Sequence, residues 1–151
     1  MDSLSVFINI VCGIVLIVCT IDDILKKTIN VLFPLVGSVV IVSIRMICFG
    51  EDISVVISSL VPGITILCMA ATGCFGIGAG DGFIICFIGA CFELSVCLLI
   101  ILYGFAMAWF RSIVGFISGY YTSKADTIPF VPYVTVGWIV CLLQTVNFVN
   151  E

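Results

Sequence analysis

The chain has 151 residues, of which 63% are hydrophobic, with only five basic and nine acidic side chains and no histidine. Soluble domains are about half apolar and about a quarter charged, and a domain this small cannot hide so much apolar surface from water. The composition therefore excludes a soluble globular protein, a disordered chain, a nucleic-acid binder, and any triad or zinc site that needs imidazole.

What is left is an all-α, polytopic membrane protein whose solvent is the lipid bilayer. A bilayer core of about 30 Å takes roughly 20 apolar residues per helix, so the length allows about six transmembrane helices. The apolar runs are continuous, as in residues 5–21. A β-barrel would alternate apolar and polar residues instead. The first span covers about 4–21 and ends at Asp22, Asp23, Lys26 and Lys27. Asp2, with no basic residue before it and a run of spanning length after it, argues against a cleavable secretory signal. The second span covers about 29–49 and ends at Gly50, Glu51 and Asp52. The third covers about 53–73. A glycine-rich segment, Gly73 to Gly82, contains Asp81.

The next apolar stretch, 83–92, ends at Glu93 and would rise only about 15 Å as a helix. It is expected to be short or re-entrant, with Asp81 beside a polar cavity, because unwound backbone at membrane depth must line protein or water. A fifth span covers about 94–118, a polar loop runs from Gly119 to Thr127, and the last span covers about 129–149. No repeat or linker divides the chain, which reads as one domain, 1–151.

Lysine and arginine set the orientation. Lys26, Lys27, Lys124 and Arg111 fall on one side, and Asp2, Glu51, Asp52, Glu93 and Glu151 on the other, with Arg45. The basic side is expected to be cytoplasmic, with both termini outside. The nine cysteines, at 12, 19, 48, 68, 74, 86, 91, 97 and 141, form no C-x-x-C pair. They are read as small hydrophobes rather than disulfides or metal ligands, and no metal or other cofactor is expected.

An acid in or near a membrane is a functional candidate by default. Glu51, Asp52 and Glu151 are read as outer-loop residues that need no explanation, and Arg111 as snorkelling toward the cytoplasmic surface. Phe and Tyr along the last spans are read as packing or lipid contacts. Asp81 stands in Gly78-Ala79-Gly80-Asp81. Its plain reading is a helix cap. Asp22 and Asp23 have an equally plain reading, as a polar helix end beside two lysines. Yet both acidic points fall on the same side of the membrane. Two carboxylates brought close share a proton, one acting as base and the other as acid. Such a pair activates water against a peptide bond without histidine or metal.

These residues resemble a known family. Gly78-Ala79-Gly80-Asp81 matches the Gly-x-Gly-Asp signature of the GxGD membrane aspartic proteases, and the chain looks like their type IV prepilin peptidases. The stretch Asp22 to Asn30 is similar to the family's first aspartate, basic residues and Ile-Pro-Asn-like span start. Two alignments fit it. Asp23 stands six before Ile29 and is favoured, while Asp22 stands eight before Asn30. Ile128-Pro129-Phe130-Val131-Pro132-Tyr133 resembles a third landmark at the last span. Phe83 stands where the family often has lysine, and no proline precedes Asn30. The chain resembles the short, peptidase-only members, without the zinc-binding domain of the bifunctional ones.

The resemblance implies a peptidase that removes the leader of pilin-like precursors at the cytoplasmic face. Asp23 (or Asp22) and Asp81 would be catalytic. Gly78, Gly80, Lys26, Lys27, Pro129 and Phe130 would shape the site or meet the substrate. The rival expectations are a small proton-coupled transporter and a catalytically silent member of the same fold.

Overall fold

The computed structural model describes residues 3–26, 28–73, 78–118 and 129–149, with side chains between Ser5 and Gln144. All of its regular structure is helical, in the order α1 (Ser3–Lys26), α2 (Leu32–Cys48), α3 (Ile53–Ala71), α4 (Ala79–Cys91), α5 (Leu94–Ile117) and α6 (Val131–Val149). The protein is thus an all-α membrane protein. Three helices, α1, α3 and α5, are long and apolar enough to cross a bilayer.

Local signals explain where the helices stop and start. Gly50 (φ 61°) and Gly73 (φ 67°) follow α2 and α3 in the left-handed conformation that closes a helix without steric penalty. The Asn30 carboxamide oxygen accepts the Leu32 N–H at 3.2 Å and so opens α2.

The short fourth helix is present, and it is the centre of the molecule. Its thirteen residues rise about 20 Å. Ile84, Ile85, Phe87, Ile88 and Ala90 are completely buried, chiefly against α3 and α2. Close approach of α3 needs glycine. A methyl group at Gly89 would collide with the Ser59 carbonyl oxygen, and one at Gly63 with the Cys86 backbone. Gly89→Ala is therefore expected to destabilise the protein by about 1–3 kcal/mol, as overpacking does, measured by thermal unfolding in detergent.

The expectation of an unwound Asp81 loop is corrected in part. Helix α4 begins at Ala79, four residues before the apolar stretch, so Asp81 lies in its first turn. Glycine at 80 and 82 does not prevent this, because tertiary packing outweighs a propensity penalty of about 1 kcal/mol per glycine. Residues 74–77 and 119–128, with Lys124 and Ile128, lie outside the described residues.

The reading of Glu51 also needs correction. Arg45 is only 2% exposed, and its Nη1 lies 3.0–3.3 Å from the carbonyl oxygens of Gly89, Ala90 and Phe92. These are carbonyls at the C-terminal end of α4, left without intrahelical partners, and a cation suits that end of a helix. Glu51 is not a plain loop acid. It grips the same guanidinium through Nε, at 3.2 and 3.0 Å, and through Nη2. Among the described cysteines, Cys12, Cys19, Cys91 and Cys97 are buried free thiols in the apolar core and Cys141 is buried with them, whereas Cys48 and Cys68 are exposed.

Candidate active site

Successive helical residues point about 100° apart, so Asp22 and Asp23 cannot share one environment. Asp23 ends a stripe of buried residues, Ile8, Cys12, Leu16 and Cys19, whose spacing of three and four keeps one helix face. It is itself only 7% exposed. Asp22 lies off that stripe and pairs with Lys26 at 2.6 Å near the surface. An exposed i,i+4 pair contributes a few tenths of a kcal/mol.

Asp23 reaches across to the start of α6. Its Oδ2 accepts the Val131 N–H at 3.0 Å, and its carboxylate also accepts the Phe130 N–H. The first turn of a helix leaves N–H groups without intrahelical partners. Here Pro132 has none to offer, and the Tyr133 N–H goes to the Phe130 carbonyl at 3.1 Å. One carboxylate from α1 and one proline thus account for the opening of α6. The two helices are also joined by hydroxyls. The Thr135 hydroxyl donates to the Val131 carbonyl at 3.0 Å, which leaves Thr20 as the donor in the 2.8 Å Thr20–Thr135 bond. Phe130 is packed on Phe105, with ring centroids 4.9 Å apart.

Asp81 is held at the same end of the molecule. It occupies the third position of α4, after the Gly78 cap, and its carboxylate accepts the Gly78 N–H. That is the returning half of a capping box, so the plain reading of Asp81 as a cap is partly right. The carboxylate also stands within electrostatic reach of Asp23. A buried carboxylate from α1 and a half-buried one from α4 therefore stand within electrostatic reach of each other, while Asp22 is turned to Lys26.

No family model, curated protein or solved structure matches the chain.

The two glycines of the motif play different parts. A methyl group at Gly80 would stand 2.9 Å from Ile29 Cδ1. The space at Gly80 is thus already filled by the segment that links α1 to α2. At Gly78 a methyl group would meet, among the described residues, the Asp81 carboxylate at ordinary van der Waals distance, with Oδ2 at 3.5 Å. Of the basic residues, Lys26 is engaged by Asp22 and Lys27 lies outside the described residues. Arg111, on α5, lines an apolar groove of about 620 Å³ with Tyr103, Phe110 and Tyr133 between α5 and α6. Pro129 and Phe130 stand directly before α6 and are half-buried. Val131 was absent from the sequence-derived site, because its contribution is a backbone N–H and no side-chain pattern reports it.

Proposed function

We propose that the protein is a membrane aspartic endopeptidase that removes the leader of type IV pilin-like precursors at the cytoplasmic face. The observation that carries this reading is that buried Asp23 and half-buried Asp81, from helices far apart in the chain, stand within electrostatic reach of each other. The motifs that resemble the prepilin peptidases add to it, since the Gly-x-Gly-Asp segment supplies one acid and the basic-flanked pair supplies the other. The Pro129–Pro132 segment is the third such motif, and it is the one that meets Asp23. The six helices cross the membrane in this reading, with the basic loops and the paired carboxylates on the cytoplasmic side and the termini outside. The precursor keeps its apolar helix in the bilayer and presents an extended leader junction to the two acids.

The test is co-expression of the full chain with a pilin-like precursor, followed by mass spectrometry of the precursor's N-terminus. Leader removal is expected with the parent and with Asp22→Asn. It is expected to be lost with Asp23→Asn. Equal processing by Asp23→Asn and the parent would overturn the assignment of Asp23. Solute uptake coupled to protons in proteoliposomes, with no precursor cleaved, would favour the transporter instead.

A further inference from the structure

We propose that the N-terminus of α6 holds Asp23 as the ionised member of the pair, so that Asp23 is the base and Asp81 carries the shared proton. The chemistry assigned to each rests on the peptidase reading, whereas the geometry behind the assignment does not.

A backbone N–H can donate but not accept. Burial disfavours the charge of both acids, and at Asp23 the Phe130 and Val131 N–H groups oppose it by favouring the carboxylate form. The positive end of the nineteen-residue α6 acts in the same direction. The donor shown for Asp81 among the described residues is the Gly78 N–H, at the start of the shorter α4, which makes the weaker hold. Among the described residues, few other charges face the pair. On α1 itself Asp22 is neutralised by Lys26, and Cys19 stands one turn back among buried side chains. The loop into α2 brings Ile29 and Asn30, which carry no charge. On α6 the nearest titratable side chain, Tyr133, lines the α5–α6 groove. Asp81 on α4 is the group that contests the proton with Asp23 among the described residues. A negative pair that must share one proton places it where the carboxylate is less well solvated by donors.

The steps balance. Asp23 takes one proton from water as the water oxygen bonds to the scissile carbonyl carbon. Asp81 gives its proton to the carbonyl oxygen, forming a gem-diol. Asp23 then passes its proton to the amide nitrogen, the C–N bond breaks, and a diol hydroxyl returns a proton to Asp81 as the carbonyl re-forms. Both acids end as they began. Val131 is a positioning residue in this scheme, acting through Asp23 by its main chain.

The deciding experiment is carboxyl ¹³C NMR of the aspartate-labelled full chain in detergent micelles. Asp23→Asn and Asp81→Asn assign the two signals. As the pH is lowered from neutral, the Asp81 signal is expected to move to its protonated position first, with Asp23 following at least about one pH unit lower, the separation that marks strongly interacting sites. Asp23 moving first, or both moving together, overturns the proposal. Val131→Pro removes the N–H yet suits a first helical position, and Val131→Ala keeps the N–H. The proline variant is expected to protonate Asp23 at higher pH than the alanine variant, with the acid limb of leader cleavage moving with it. Identical behaviour of the two overturns the proposal. If the proline variant does not fold, the order of the two signals in the parent still decides. If that order holds and no precursor is cut, the peptidase reading fails and the proton assignment stands.

Discussion

Asp81→Asn is expected to slow leader removal by about 10²–10⁴-fold, the usual contribution of a positioned acid or base. The amide cannot give the carbonyl oxygen a proton. Asp23→Asn is expected to cost as much, and the double variant little more than either alone, because residues that act as a unit are not additive. Asp81 also receives the Gly78 N–H, and asparagine can still accept that bond through its carboxamide oxygen. The fold should therefore survive, and thermal unfolding of the variant separates lost chemistry from lost structure. Precursor cut as fast by Asp81→Asn as by the parent would remove the basis for an aspartic mechanism.

Removing the Glu51 carboxylate is expected to be among the most destabilising single changes in the protein. Arg45 is buried and held to the end of α4 by three carbonyl groups, and Glu51 is its acidic partner in a salt bridge. Truncating one partner of such a pair costs about 3–5 kcal/mol, because the other charge is left buried and uncompensated. Glu51 is partly exposed, which moves Glu51→Ala toward the lower end of that range. Arg45→Met combined with Glu51→Leu is expected to be milder than Glu51→Ala, since no uncompensated charge remains. Unfolding in detergent measures both. The active-site consequence is indirect. Arg45 holds one end of α4 and Asp81 stands at the other, so Glu51→Ala should lower activity and stability together, unlike Asp81→Asn.

The fold was legible in the sequence to the extent that hydrophobicity alone determines it. Continuous apolar runs and the charges between them marked helices close to those observed, with α5 at Leu94–Ile117 against an expected 94–118 and α3 at Ile53–Ala71 against 53–73. The shortness of α4 was also legible, because Asp81 and Glu93 bracket too few residues to cross a bilayer. Helix faces were not. In a water-soluble helix the apolar stripe announces the buried side. In α1 both sides are apolar, with Ile10, Ile14 and Ile17 exposed and Ile8, Cys12 and Leu16 buried, so the stripe ending at Asp23 had no contrast to stand out against.

The sequence by itself determined the solvent, the helical class and the short list of acids able to do chemistry, because each depends on composition and on charges placed along the chain. Tertiary structure decided three things. It separated Asp23 from Asp22, since neighbours 100° apart on a helix meet different surroundings. It brought Asp23 to the α6 N-terminus and within reach of Asp81, contacts between segments far apart in the chain. It also turned Arg45 and Glu51 from boundary charges into the clamp on α4. Each of these depends on which helices pack together, and a chain apolar on every side carries little record of its neighbours.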